Sequence, residues 1–526
     1  MKKLITFLIP CVLTFNISLA QNDRYFDEVF DSVTLTSDIQ YATNMSVVLS
    51  AVGLGPTLPT GGHPLAPPLA FDFYEPYGDS LTERPLLVYL HTGTFAPIIL
   101  NNNPTGSRND YATKTMCERF AKRGYAVANV EYRLGWNGGA GGSLAANSIS
   151  LITAVYRAIQ DTKAAVRFFY RDAKDSSNTY KIDTNKIALV GQGSGGWVAL
   201  GYASVNDTSD IRLGKFLSPQ GDMLIDLDSI GDWDGYGGHP SQNMENNAGY
   251  SSKIQMVCSM GGGMGALDWL SQGEVPIAAV HSHTDGVAIY TTGDVNVTTA
   301  QGLIPITTEI SGSYDVITKA NMLGNNDKIS GINDAYTTAA YNAAMKIQGL
   351  TDKGLSWIGY PVQNLFPFVT ANANESAPWE FWDSATTVAG ATALNKDGAA
   401  ILANAAIGNP DMSIQKATAY MDSTLGFFCP RLVNALMLTG ETVDVMENTS
   451  FSDILIYPNP VSGTINFNAP SKIKSIKIYN QLGTLVKQFN PNSLNYNFNT
   501  EEMPNGIYIS QISTTEKDYV EKVILK

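Results

Sequence analysis

The sequence predicts an α/β fold: a mostly parallel, doubly wound sheet, followed by a small all-β sandwich. Three observations lead there. Apolar strand-like runs alternate with helical patterns through the middle of the chain. The stretch "KIALVGQGSGGWVALG" at 186–201 reads as a buried strand, a glycine-rich turn and a helix with small residues on its near face. From residue 454 the pattern changes to short β-rich runs separated by turn residues.

The chain has 526 residues, too many for one compact core and suited to two or three units. Hydrophobic content of 44% with 16% charged residues is a globular composition. A net charge of -14 argues against a nucleic-acid partner, which needs a basic face. The first twenty residues read as a signal peptide. Lys2 and Lys3 precede the apolar run "LITFLIPCVLTF", and the small residues Ser18 and Ala20 precede the expected cut. That run is too short to span a bilayer, and no later segment is apolar for long enough.

After the signal, the strands come in order. "PLAFDFYEP" is an early strand, and "RPLLVYLHT" at 84–92 is continuously apolar, as expected when both faces of a sheet are covered. "YAVANVEYRLG" follows. In "LITAVYRAIQDTKAAVRFFYRDA", Val155, Ile159, Val166 and Phe169 repeat at helical spacing. "KIALVG", "IQMVCSM" and "VPIAAVHS" complete the series. In such sheets functional groups gather at the C-terminal ends of the strands. Residues 289–361 form an insertion, β-like over 306–320 and helical over 334–350, and are a candidate cap over a pocket. Cys117, Cys258 and Cys429 show neither metal spacing nor a disulfide framework, and Cys258 reads as a buried structural thiol.

Residues 441–453 are polar and read as a linker. In the tail Ile476 and Ile478 point one way and Ser475, Lys477 and Tyr479 the other. The tail resembles the type A C-terminal sorting domain of the type IX secretion system of Bacteroidetes. The resemblance covers 454–526 and rests on Tyr457-Pro458-Asn459-Pro460, on Gly506-Ile507-Tyr508 with Ile512, and on the closing Lys522-Val523-Ile524-Leu525-Lys526. It implies the type IX machinery as partner and export to the outer face of the cell or beyond.

The motifs "LVYLHTGTFAP", "FAKRGYAVANVEYRLG", "IDTNKIALVGQGSGG" and "GEVPIAAVHSHTDGVAIY" occur in the order found in carboxylesterase-like α/β-hydrolases, a resemblance that covers 69–290 well. It implies that His91, Thr92, Gly93 and Thr94 form the oxyanion loop, that 191–196 holds the nucleophile turn, and that Asp285 is the triad acid. Thr92 and Thr94 replace glycines of the usual loop, and their β-carbons narrow the approach.

Small residues must stand two before and two after the apex of a nucleophile turn, because strand and helix nearly touch there. With Gly193 as apex, Gly191 and Gly195 satisfy this; with Ser194 as apex, Gln192 falls in the tight position. Sterics favour Gly193, which carries no nucleophile. In this fold the base follows the acid along the chain, yet none of His63, His91, His239, His281 and His283 follows Asp285. A serine without a base is a poor nucleophile at neutral pH. The competing arrangement is Ser194 served by His283, two residues from Asp285.

The stretch "NESAPWEFWD" lies where the family brings its histidine, so Trp379 and Trp382 are candidate pocket residues. Glu375 and Glu380 there have no partner readable from sequence. The aspartates 226, 228, 232 and 234 lack a calcium-loop spacing and read as turn formers. No metal or cofactor is expected.

The expected organisation is a signal at 1–20, an α/β-hydrolase-like domain at 22–440, a linker and a sorting domain at 454–526. The expected function is a surface or secreted ligand-binding protein on a catalytically degenerate esterase scaffold, taking a small ester, glycan or peptide. The alternatives are an active ester hydrolase using Ser194 and a structural surface protein without a ligand.

Overall fold

The computed structural model describes residues 24–46, 66–96, 101–136, 144–218, 220–299, 302–351, 361–438, 455–457, 461, 463–480, 485–516 and 518–525. The signal segment, the linker and His63 lie outside them. The chain divides into two compact units, Met1–Leu438 and Thr439–Lys526.

The first unit is built on an eight-stranded sheet. Its strands are β1 (Val33–Thr43), β2 (Pro68–Pro76), β3 (Arg84–Leu90), β4 (Ala126–Val130), β5 (Ile182–Gln192), β6 (Met256–Met260), β8 (Ile277–Ser282) and β11 (Leu365–Phe368). The spatial order is β1-β2-β4-β3-β5-β6-β8-β11. The β1–β2 and β2–β4 pairs are antiparallel, and every pair from β4 to β11 is parallel.

The continuous apolar runs have the expected cause. β3, β4, β6 and β8 are buried at every position, because helices cover both faces. Alternate residues feed two cores. Leu86, Val88 and Leu90 of β3 join Ile159, Val166 and Phe169 of α2 (Leu144–Asp175), together with α3 (Ser194–Ser204). Leu87 and Tyr89 join Met116 and Phe120 of α1 (Tyr111–Lys122) on the other face, with residues of a long C-terminal helix described below. The three cysteines lie buried in this second core or at its edge, and burial pushes the Cys258 thiol well up, which keeps it protonated and inert.

Within 289–361 the strand expectation holds only to residue 312. β9 (Gly293–Thr299) and β10 (Gly302–Gly312) form a hairpin, and β10 also pairs with β7 (Gly263–Met264). From there α4 (Ser313–Met322) is a helix, although 306–320 reads β-like. Its Val316, Ile317 and Ala320 stand at helical spacing and are buried, so packing overrides the β-branched local preference. Then come α5 (Ala335–Thr351), β11, α6 (Ser384–Ala393), α7 (Gly398–Gly408) and the long C-terminal helix α8 (Ile414–Leu436).

The second unit is an antiparallel sheet of β12 (Leu455–Tyr457), β13 (Thr464–Asn480), β14 (Leu485–Phe489), β15 (Ser493–Asn499), β16 (Gly506–Thr514) and β17 (Asp518–Leu525). β13 pairs with four strands: its first half with β12 and β15, its second half with β14 and β16. The register breaks between Asn468 and Ile473 separate the halves. Ile476 and Ile478 are fully buried in a core with Ile465, Phe467 and Ile512, which accounts for the two-residue alternation of the sequence.

Candidate functional site

β5 ends at Gln192 and α3 begins at Ser194, so the chain reverses within one residue. That residue is Gly193, at φ 53° and ψ -117°. A side chain is strained there and glycine is not. Its N–H donates to the Met260 carbonyl at 2.7 Å, which ties the turn to the end of β6. The flanks are as tight as the spacing suggested. A Cβ added at Gly191 would stand 2.2 Å from the Gly195 oxygen, and one at Gly195 would stand 2.2 Å from the Leu90 oxygen. Both obstacles are backbone and cannot turn aside. Gly195→Ala should therefore cost about 1–3 kcal/mol of stability, read as a lowered denaturant midpoint with unchanged slope.

Gln192 does not sit in the tight contact. Its side chain runs into the second core, where the Tyr89 hydroxyl donates to Oε1 at 2.9 Å and Nε2 donates to Glu380 Oε1 at 2.9 Å. Ser194 is the first residue of α3 and is nearly buried, 8% exposed. Its Oγ lies 3.3 Å from the Tyr132 hydroxyl, which itself donates to the His91 carbonyl at 2.7 Å. The phenol has one proton to give, so Ser194 donates to Tyr132. Burial raises the phenol's affinity for its proton, and the Tyr132 ring is locked by stacking on His91 at 4.6 Å. A phenol in that state does not take the proton of a serine.

His91 stands at the end of β3 and is fully buried. Burial pulls its pKa down, but Glu131 nearby and the Thr92 carbonyl outweigh this and hold it above the ordinary histidine value. Its Nδ1 faces that carbonyl at 2.5 Å. His91 therefore braces the loop from behind. His281 is bound at both nitrogens: Nδ1 lies 2.7 Å from Ser313 Oγ, and Nε2 lies 2.8 Å from the Ala288 carbonyl and 3.5 Å from Asp285 Oδ2. His283 Nδ1 lies 3.2 Å from the Phe368 carbonyl, and burial lowers its pKa. His281 is thus an imidazole within reach of Asp285. Asp285 also accepts from the amides of Val287 and Ala288, and burial raises its pKa despite these partners.

A cavity of about 200 Å³ opens at the C-terminal ends of β3, β5 and β8. Thr92, Gly93, Thr94, Phe95, Gly193, Ser194, Asp285 and Trp379 all line it. Trp382 does not, and it is half-buried elsewhere. From the 289–361 segment only Val295 reaches the cavity among the described residues. The Trp379 ring packs over Gly261 next to Asp285: a Cβ added at Gly261 would be 3.2 Å from Trp379 Cη2 and 3.8 Å from Asp285 Oδ2. Trp379 and Asp285 thus flank the same glycine, and an indole N–H donates but never accepts a proton.

Sequence reasoning left Glu375 and Glu380 unpaired, and both have partners. Glu375 Oε1 lies 2.5 Å from Lys416 Nζ, a contact made by the tertiary fold. Glu380 accepts from Gln192 and from Thr105 Oγ1 at 3.0 Å, and it lines the cavity. Burial and the neighbouring Asp110 push its pKa up to about 7, while the Thr105 and Gln192 bonds oppose the shift. The only signal for Glu380 in the sequence was its place beside Trp379; Tyr132, Thr105 and Gln192 gave none. Away from the cavity, the aspartates of 226–234 act as turn formers and surface partners: Asp226 and Asp232 accept loop amides, and Asp234 pairs with Lys163. Among the described residues no His, Cys, Asp and Glu group is arranged to hold a metal ion.

Residues 71–287 match the BD-FAE family, and residues 455–526 match the secretion system C-terminal sorting domain. No curated protein matches the chain. Among solved structures the chain is similar to Thermogutta terrifontis esterase 2 phosphonylated by cyclosarin, at 16% identity over 43% of this chain and 69% of that one, with a TM-score of 0.28. It is also similar to a truncated form of a carbohydrate esterase from gut microbiota, at 15% identity over 50% of this chain and 81% of that one, with a TM-score of 0.29.

Proposed function

From the premise that the chain joins an esterase-like α/β-hydrolase domain to a type IX secretion sorting domain, we propose that it is an exported protein that binds a small ligand without hydrolysing it. The sorting tail marks it for the secretion machinery and for the cell surface or the medium. No described helix is long and apolar enough to cross a membrane.

One observation carries the reading: the turn that would present a nucleophile has Gly193 at its apex, with no atom to attack. Its surroundings agree. The proton of Ser194 is held by a phenol, not an imidazole, and the imidazole within reach of the acid, His281, is bound at both nitrogens by Ser313 and Ala288. A general base must lie within hydrogen-bond reach of the proton it removes. The cavity is retained, lined by aromatic rings and a few polar groups, as ligand sites are. Under this reading a small ester, glycan or peptide enters and leaves intact.

The wild-type protein should release nitrophenolate from p-nitrophenyl butyrate no faster than its Ser194→Ala variant, and a fluorophosphonate probe should leave no adduct. Thermal stabilisation by a ligand, with no turnover, is the expected companion result. Turnover that vanishes in Ser194→Ala would make the protein a hydrolase instead. Neither turnover nor stabilisation by any small molecule would leave it a structural surface protein.

A further inference from the structure

The space above the turn is not empty. A Cβ built on Gly193 would lie 2.3 Å from Thr92 Oγ1 and 3.1 Å from Thr92 Cβ. Real contacts of that kind do not occur, so the Thr92 side chain occupies the room that an elbow side chain needs. The Thr92 hydroxyl makes no hydrogen bond to any described residue, and Thr92 lines the cavity. On the same cavity wall stands Trp379, 1% exposed, whose Nε1–H has no acceptor among the described residues. Buried donors are normally paired, and each exception calls for a reason. Trp379 is such an exception, and it shares the cavity lining with the half-buried Thr92.

The cavity also limits what charge can enter. No Lys, Arg or His lines it among the described residues, while Asp285 and Glu380 do. An anion would find no counter-charge on this lining. A cation would satisfy the acids, but those already have partners, and it would leave the Trp379 N–H orphaned.

We propose that Thr92 stands in for the missing elbow side chain: its hydroxyl fills that space and, with the Trp379 indole N–H, holds the carbonyl oxygen of an uncharged ligand. The ligand class rests on the non-hydrolytic reading above; the steric pairing of Thr92 with Gly193 does not.

Two measurements decide it. In the first, Gly193→Ala is made in the wild-type and Thr92→Gly backgrounds, and thermal unfolding is followed. The backbone strain of an alanine at this φ is common to both, so the difference isolates the clash. Gly193→Ala should lower Tm clearly more in the wild type than in Thr92→Gly. Equal shifts overturn the pairing.

In the second, butyramide, butyrate and n-butylammonium are titrated calorimetrically. Butyramide should bind best, and Thr92→Val, which keeps shape and removes one donor, and Trp379→Phe, which keeps an aromatic ring and removes the other, should each weaken it about five-fold. Tighter binding of either ion, no binding of butyramide to the wild type, or unchanged binding by both variants overturns the ligand class. Hydrolysis of p-nitrophenyl butyrate by the wild type would instead sink the non-hydrolytic reading, and would leave the outcome of the unfolding cycle untouched.

Discussion

Asp161→Ala should destabilise the first unit by about 3–5 kcal/mol, measured as a fall in the denaturant midpoint. Asp161 lies on α2 and is 1% exposed. It accepts from the Arg133 backbone N–H at 2.9 Å, and from Arg133 Nε at 3.0 Å to one oxygen and 2.8 Å to the other. Arg133 is 3% exposed. Without the carboxylate its guanidinium keeps only neutral acceptors, such as Gln160 Oε1 at 3.1 Å and the Met45 carbonyl at 3.2 Å. A buried cation without an anion is what makes the loss large, not the strength of the pair itself. Two consequences separate these terms. Arg133→Met combined with Asp161→Leu should cost clearly less than Asp161→Ala alone, because it leaves no charge behind. Asp161→Ala should also disturb the cavity, because Arg133 follows Tyr132, the ring that stacks on His91 and holds Ser194.

Stability of the wild type should fall between about pH 4.5 and pH 7, and Glu380→Gln should remove much of that fall. The sign follows from the protons. The folded protein holds the Glu380 proton up to about pH 7, whereas an ordinary glutamate loses it near 4.5. Between those values the native state binds more protons than the unfolded chain, so stability falls as pH rises. The contribution is full below about pH 4.5 and gone above about pH 7, and it amounts to about 3 kcal/mol. The cause is burial first and Asp110 second; the Thr105 and Gln192 bonds only partly offset them. Asp110 is itself raised by burial, so some pH dependence should survive in the variant. Denaturant midpoints at pH 5 and pH 8 for both proteins provide the check. A variant as pH-sensitive as the wild type would mean that Glu380 is ionised at neutral pH despite its burial.

Much of the fold was legible because burial on both faces of a sheet leaves a continuous apolar run, as in "RPLLVYL", and because a strand with one buried face alternates, as in 475–479. Helix α4 was misread as strand: its ten residues carry too short a pattern, and the packing that buries Val316 and Ile317 comes from elsewhere in the chain. The turn at 191–196 was legible for a different reason. Gly191, Gly193 and Gly195 are local, and the close approach they permit is set by their own spacing.

By itself, then, the sequence determined the order of strands and helices, the export tail, the apex glycine and the want of a histidine after Asp285. Each of these is a property of neighbours along the chain. Only the tertiary structure decided that Thr92 fills the room over Gly193, that Trp379 and Asp285 both flank Gly261, that His281 lies within reach of Asp285, and that Glu380 shares its burial with Asp110. Those are encounters between residues far apart in sequence, and their distances come from how the loops close over the sheet.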